Sequence, residues 1–309
     1  MRNQSLVSQD FDVEVIVVDD GSRDGTARVV EEFVHSHPDK VRLVRLERNM
    51  GLGNARNVGV SLARGSVVVF LDADMEFQPD FVRRLTEPIL SGKTLATCHS
   101  TEIVGNACNP WVKAQGQKIR GFPQAARTGS IRAVDKRFFL QSGGFDASKG
   151  YFDDTSFHEK TGLESVVVDV SLIHRNPDTV REIFWRNRWI GRSVLKAHKL
   201  VEVLVMVGKR LFDLMPFAGF LLLFSADLAV KMVGVVSLLL FGLVVARHRA
   251  LPSESLWEGL KVRFIYVPAY RWVKALGFLT GVVEALLGRG WEEAATRVDA
   301  VSEKKSRTV

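Results

Sequence analysis

Two short runs, 13–18 (Val-Glu-Val-Ile-Val-Val) and 67–71 (Val-Val-Val-Phe-Leu), are almost uninterruptedly apolar and β-branched. Each stops abruptly at carboxylates, Asp19-Asp20 after the first and Asp72-Ala73-Asp74 after the second. A strand of this composition has no polar face to offer water, so it belongs inside a sheet that is covered on both sides. Amphipathic stretches at 26–35, 53–63 and 79–89, with a further β-branched run at 41–45, complete an alternation of strand and helix. That alternation implies a parallel sheet with helices on its faces. Ligands of open α/β sheets sit at the carboxyl ends of the strands, where these four aspartates fall.

The stretch 95–132 carries Asn106, Asn109, Pro110, Gly116, Gly121, Pro123 and Gly129 and is expected to be a loop-rich excursion over a sheet edge. Residues 166–170 with Ile173 suggest one more strand, and 179–199 a basic helix. After Lys199 the composition changes: 214–226 and 232–246 hold no charge, and only Asp227 and Lys231 interrupt them. One straight helix over these 33 positions would run about 50 Å, against roughly 30 Å of hydrocarbon in a bilayer. A hairpin with Asp227 and Lys231 at its tip avoids charges at mid-bilayer, where each costs about 2.5 to 3.5 kcal/mol. The bland alternative is an apolar helical pair packed on the soluble domain. A further apolar segment, 264–287, holds Arg271, Lys274 and Glu284; Tyr266, Tyr270 and Trp272 favour an interfacial helix over a third span. The expected division is therefore 1–200, 201–250 for the hairpin, and 251–309 for the third segment and a polar tail from Trp291.

The formal charge is +7. Between Arg181 and Arg210 eight basic residues face two acidic ones, so most of the surplus lies directly before the most apolar stretch. This pattern suits a membrane surface and argues against nucleic acid as a partner. Lys209 and Arg210 before the apolar runs, with Arg247 and Arg249 after them, place both ends of the hairpin in the cytoplasm. Cys98 and Cys108 lie ten positions apart with no CxxC spacing and no cluster of histidines around them, and are expected to be buried free thiols. Met1 is followed by no apolar signal region.

Chemistry concentrates at the strand ends. In Asp19-Asp20-Gly21-Ser22 two carboxylates can accept hydrogen bonds from a base edge or ribose hydroxyls, while Gly21 permits a tight turn and Asp24 or Thr26 caps the next helix. Asp72 and Asp74 can converge on a hard divalent cation that keeps positions open for diphosphate oxygens.

The segments 15–26 (VIVVDDGSRDGT), 48–65 (RNMGLGNARNVGVSLARG), 67–81 (VVVFLDADMEFQPDF) and 143–146 (GGFD), in this order and spacing, resemble family-2 glycosyltransferases of the GT-A fold over roughly residues 5–195. The resemblance implies an α/β nucleotide-diphospho-sugar transferase fold, a mixed and mostly parallel sheet with helices on both faces, here followed by C-terminal transmembrane helices. It implies that Asp19, Asp20 and Ser22 hold the nucleoside, that Asn49, Gly51, Arg56 and Asn57 brace the nucleotide site, and that Asp72 and Asp74 hold Mg²⁺ or Mn²⁺ against the diphosphate. His174 falls where some such enzymes bring a third metal ligand or a phosphate contact. Inverting members show Glu-Asp after GGFD, and the match puts Asp153 on the Glu and Asp154 on the catalytic base. With Asp in place of Glu, the choice between Asp153 and Asp154 stays open, and a doubled helix N-cap is the alternative. The glycines of 51–56 do not follow a strand, so a dinucleotide-cofactor reading fails on context. Trp185-Arg186-Asn187-Arg188-Trp189 is only a partial match to the Q-x-x-R-W of processive synthases, leaving Arg186 and Arg188 as diphosphate contacts, lipid headgroup contacts or membrane anchors.

These features lead to the expectation of an inverting, metal-dependent transferase that moves a sugar from a nucleotide sugar, UDP-linked in preference to GDP-linked, to a lipid-linked or saccharide acceptor. The enzyme is expected in the cell membrane, multi-pass, among membrane lipids, with its catalytic domain facing the cytoplasm. The alternative is a catalytically silent membrane scaffold derived from such an enzyme. Relatives open with a further strand and helix, of which residues 5–11 resemble the tail, so the functional chain is expected to extend roughly 25 to 35 residues upstream.

Overall fold

The computed structural model describes residues 12–116 and 131–288, together with the backbone of 119–121. The expectations for the first eleven residues, for 122–130 and for the tail from Trp291 fall outside them. Two compact units divide the described chain, one of 12–103, 119–121 and 131–174, the other of 104–116 and 175–288.

In the first unit the apolar runs form β1 (Val15–Asp19), β2 (Val41–Arg45) and β3 (Val67–Val69), each near its expected place. Helix α1 (Thr26–Ser36) connects β1 to β2, which pair in parallel from Val15 opposite Val41 to Asp19 opposite Arg45. Helix α2 (Leu52–Leu62) precedes β3, and a turn at Asp72–Asp74 leads into β4 (Met75–Phe77) and α3 (Phe81–Leu90). The remaining strands are β5 (Ala96–Val104), β6 (Ile119–Gly121), β7 (Ala133–Asp135) and β8 (Val166–His174). A six-stranded sheet runs β3-β7-β5-β8-β4, with β6 paired to β5.

The sheet architecture is mixed, but less parallel than expected. The registered pairs β3–β7, β4–β8, β5–β6 and β5–β7 are all antiparallel, which leaves β1–β2 as the parallel registered pair among the described residues. Parallel pairing requires a crossover helix between neighbours. The sequence supplies one between β1 and β2, whereas the reversal at Asp72–Asp74 sends the chain into strands that return against their neighbours. The stretch expected to be loop-rich contains a nine-residue strand, β5. Its Thr, Ser, His and Glu residues hide the strand signal.

Two clusters build this unit. Phe70, Phe139, Phe145 and Phe157 pack ring on ring with Val60 and Val134; Phe139 and Phe157 stack with centroids 5.1 Å apart, and Phe70 meets Phe145 edge-on at the same distance. Met75, Phe81, Leu85, Val170 and Leu172 form the other cluster, between α3 and the sheet.

The second unit is helical. It holds α4 (Pro110–Gln115), the basic helix α7 (Val180–Ala197), α8 (Leu200–Leu222), α9 (Leu228–Arg247), α10 (Leu256–Lys261) and α11 (Val267–Leu286); α5 (Lys136–Gln141) and α6 (Asp153–Thr161) belong to the first. Helices α7 and α11 pack backbone against backbone: any Cβ at Gly281 would strike the Arg188 carbonyl, and one at Gly191 the Phe278 carbonyl. Arg188 and Arg192 both bind Glu284 across this seam, at 2.6 and 3.0 Å. Buried in that clamp, Arg188 holds two helices together, and its expected role as a diphosphate or headgroup contact is corrected accordingly.

The chain breaks at 223–227, where the Asp227 carboxylate accepts hydrogen bonds from Ala229 and Val230 and caps α9. Helices α8 and α9 then run antiparallel, with Ser237 donating to the Met215 carbonyl and Gly234 facing Gly219. Among the described residues α9 is the helix long and apolar enough to cross a membrane. Helix α8 has the length but carries Lys209, Arg210 and Asp213, so a pair of equally apolar spans is not what the sequence builds. Cys98 is buried and Cys108 exposed, which corrects the expectation of two buried thiols.

Candidate functional site

The carboxyl end of β1 is a rigid turn. Asp19 is buried, and its Oδ1 accepts from the Ser22 amide at 3.0 Å. Its Oδ2 lies 3.6 Å from the Arg45 guanidinium and has no hydrogen-bond donor among the described residues. Asp20 uses both oxygens to hold the following loop, accepting from the Met50 amide at 2.7 Å and the Gly51 amide at 2.8 Å. Gly21, at φ 76°, fits only because it has no side chain: a Cβ there would lie 2.7 Å from the Arg48 carbonyl carbon. The Asp-Asp-Gly-Ser turn and the 48–51 loop are thus a single interlocked piece. Asn49 closes the loop locally, accepting from the Gly51 amide at 3.2 Å.

Arg56 and Asn57 leave α2 in different directions. Asn57 grips the Phe145 peptide from both sides, donating to its carbonyl at 2.8 Å and accepting from its amide at 2.9 Å. It therefore fixes the Gly143–Asp146 turn instead of facing a nucleotide. Arg56 reaches the Asp72 Oδ1 at 3.1 Å and the Asp153 Oδ2 at 3.4 Å, its guanidinium lying over Phe70 and Phe145. The aromatic cluster is the floor on which this cation rests, and the planar fork lets one side chain hold two carboxylates.

Asp153 and Asp154 open α6. The preceding 3₁₀ turn (Ala147–Phe152) is kinked at Gly150, at φ 61° and ψ −112°, which turns the new helix toward α2. Asp153 is buried against Gly53, while Asp154 is half-buried and its Oδ1 accepts from the Thr155 amide at 2.8 Å. Burial pushes the Asp153 carboxyl up to about 6; the neighbouring Asp154 charge adds to the rise and Arg56 opposes it. Burial also raises Asp154 above the usual aspartate range.

The Asp153 shift has a measurable consequence. Its folded value of about 6, against an ordinary 3.8, means that the folded chain binds this proton more tightly than the unfolded chain. The resulting stabilisation is fully present below the unfolded value and is lost as pH rises through the folded one. Two units correspond to about 3 kcal/mol, so Asp153→Asn should gain on wild type by up to that amount between about pH 4 and pH 7. Urea midpoints across this window measure it. A difference that is flat with pH would contradict the shift.

Asp72 is half-exposed and Asp74 exposed, on either side of Ala73 in the turn after β3. Two carboxylates on one turn are hard-oxygen donors of the kind Mg²⁺ and Mn²⁺ take. His174 does not join them. It is buried at the end of β8 opposite Met75, in electrostatic reach of His99 and Glu102, and among the described residues no three His, Cys, Asp or Glu side chains are grouped to hold a metal. The antiparallel register with β4 carries it into the sheet interior, which corrects its expected role as third ligand.

A group that the sequence did not single out backs the turn. Arg132 donates to the Phe70 carbonyl at 3.0 Å, lies 3.6 Å from Glu102 and 3.4 Å from His99 Nδ1, and approaches Asp72 at 4.0 Å. Burial holds His99 below its ordinary value. Glu102 is held below its own despite its burial, because His99 and Arg132 act on it. Ionisable residues inside the strand 96–104 were the available signal.

An α/β unit with carboxylates at the ends of β1 and β3, the latter joined through Arg56 to Asp153, has the anatomy of a GT-A transferase. Residues 3–149 match the family model described as glycosyl transferase family 2. Asp153 and Asp154 lie just beyond the matched residues. An uncharacterized glycosyltransferase of Nostoc sp. is 33% identical over 102 residues, 33% of this chain and 31% of that protein. A dolichyl-phosphate beta-glucosyltransferase of Trichomonas vaginalis is 37% identical over 104 residues, 34% of this chain and 30% of that protein. The matches thus cover less than a third of the length of these curated relatives. A mannosyltransferase from Pyrobaculum calidifontis, solved in complex with GDP-Man and Mn²⁺, shares the fold with a TM-score of 0.51 at 20% identity, over 94% of this chain and 83% of that one.

Proposed function

We propose that this chain is an inverting, metal-dependent glycosyltransferase that moves a sugar from a UDP-linked nucleotide sugar to an acceptor held at the cytoplasmic membrane surface. The observation that carries this reading is the single guanidinium of Arg56 joining Asp72 to Asp153, which sets a diphosphate-side carboxylate and a raised-pKa carboxylate pair around one point. Asp154, the more accessible of the pair, takes the proton from the acceptor hydroxyl. The acceptor oxygen then bonds to the anomeric carbon as the bond to the diphosphate breaks and its electrons leave with the diphosphate. Asp19, whose buried Oδ2 has no hydrogen-bond donor among the described residues, accepts an N–H from the base or a ribose hydroxyl. Asp20 contributes by fixing the loop around it. Asp72 and Asp74 would hold Mg²⁺ or Mn²⁺, which would supply Lewis-acid neutralisation of the charge on the departing diphosphate.

An acceptor on a lipid is supported by the apolar α9 and the basic residues at both ends of the α8–α9 pair, and the name of the Trichomonas relative points the same way. By the positive-inside rule those ends lie in the cytoplasm, with α8 and α9 together entering the membrane. The test is nucleoside-diphosphate release by the purified full chain in detergent, from a panel of UDP- and GDP-sugars, with and without Mn²⁺. Metal-dependent release from a UDP-sugar is the expected result; no release from any donor, with or without a lipid-phosphate acceptor, would overturn the reading.

A further inference from the structure

We infer that the helical unit contains a phosphate-binding site, formed by Arg186 of α7, Arg210 of α8, and Arg271 and Lys274 of α11, that takes the phosphate headgroup of a lipid acceptor. The inference rests on the lipid-acceptor reading above and specifies its chemistry. Asp213 of α8 is buried and binds Arg210 at 3.3 Å and also Arg271. Lys274 lies in electrostatic reach of Arg186, Arg210, Arg271 and Asp213, and its ammonium sits 5.6 Å from the centre of the Tyr270 ring. Three guanidinium groups and a single carboxylate thus lie in electrostatic reach of Lys274. Gathering like charges is costly, and a helix packed for stability alone has no reason to add Arg186 and Lys274 to an ion pair that Arg210 and Arg271 already complete.

The donors are also incompletely used. The Nε atoms of Arg210 and Arg271 are buried with no hydrogen-bond partner among the described residues. Guanidinium forks with free N–H groups and a net positive surplus suit a phosphomonoester, which carries close to two negative charges near neutrality. The surroundings identify its carrier. Asp213 immediately precedes the charge-free run 214–226, and α8 exposes Phe217, Phe220 and Leu221 there, so an anion held here has an apolar surface beside it along which a lipid chain can lie. Ionisable groups at such a level in an apolar helix pair call for a functional partner, and basic pockets between membrane helices bind headgroups. Free inorganic phosphate shares the headgroup chemistry but lacks the chain.

The experiment follows the melting of the full chain in detergent with farnesyl phosphate, farnesol or inorganic phosphate as probe. Farnesyl phosphate should raise the melting temperature of wild type, and farnesol should not. The double variant Arg186→Gln/Lys274→Gln leaves the Asp213 pairs intact and removes the surplus charge, so without ligand it should melt no lower than wild type. Its affinity for farnesyl phosphate should nevertheless fall about tenfold or more, the worth of one charge-assisted hydrogen bond. Unchanged affinity in that variant, or an equal response to farnesol, would overturn the site; an equal response to inorganic phosphate at the same concentration would overturn its assignment to a lipid. Stabilisation by UDP with Mn²⁺ is read in parallel and should survive in the variant. Its absence from wild type would count against the donor reading and leave the phosphate site standing.

Discussion

Asp154→Asn should lower transfer to the acceptor by about 10² to 10⁴-fold, the usual contribution of a positioned general base, while leaving the affinity for nucleotide sugar within about twofold. The asymmetry follows from where the two aspartates sit. Asp153 is buried and engaged by Arg56, so its Oδ2 is already occupied. Asp154 is more open, its Oδ1 holds the Thr155 amide, and both its carboxyl and that of Asp153 are raised above the ordinary aspartate range. A base with a raised pKa takes a proton more readily, at the cost of an acid limb in the rate profile that lies above the ordinary range. The variant keeps the helix start, because an asparagine oxygen accepts from Thr155 as a carboxylate does. Acceptor turnover and donor binding, measured on the same preparation, decide the matter. If Asp153→Asn proved the more damaging change, the base would be one residue earlier.

Much of this site was legible because an all-apolar strand that ends in carboxylates is so distinctive in sequence. Val15–Val18 and Val67–Val69 have no polar face, so the carboxylates that follow them had to emerge at a sheet end. Roles within the site were less legible, since a residue type does not say which neighbour it will meet. Asn57 looks like a nucleotide contact in its motif and turns out to hold the Phe145 peptide, 88 positions away. Asp20 likewise serves the loop at 50–51. His174 was placed by its position after a strand, but strand register, which depends on its pairing with Met75, carried it inward. Arg132, Glu102 and His99 were missed because their grouping needs the β5–β7 pairing, a contact between segments that share no local pattern. In the helical unit the apolar runs announced α9 and its break at Asp227. The glycine contacts of α7 with α11 depend on two segments about 90 positions apart, and no periodicity within either reveals them.

Arg56→Ala should lower kcat about 100-fold while costing the fold only about 1 to 3 kcal/mol, and the contrast separates the site from its scaffold. Removing one partner of a buried ion pair commonly costs about 3 to 5 kcal/mol, because a charge is left stranded. Asp153 limits that cost. Its carboxyl already titrates at about 6, so without the guanidinium it takes up a proton at neutral pH. One unit separates 6 from 7, which caps the further electrostatic loss near 1.4 kcal/mol; the remainder is the contact of Arg56 with Phe70 and Phe145. Activity has no such cap. Without the guanidinium Asp72 loses its fixed orientation, and the carboxylate pair at 153–154 loses the cation that ties it to Asp72. Arg56→Lys should not rescue turnover, because a single ammonium cannot bridge two carboxylates held on separate nitrogens at 3.1 and 3.4 Å. Urea unfolding at neutral pH together with steady-state kinetics for both variants makes the comparison. A lysine variant with wild-type kcat would show that Arg56 acts as a point charge and that its two-pronged geometry is irrelevant to the reaction.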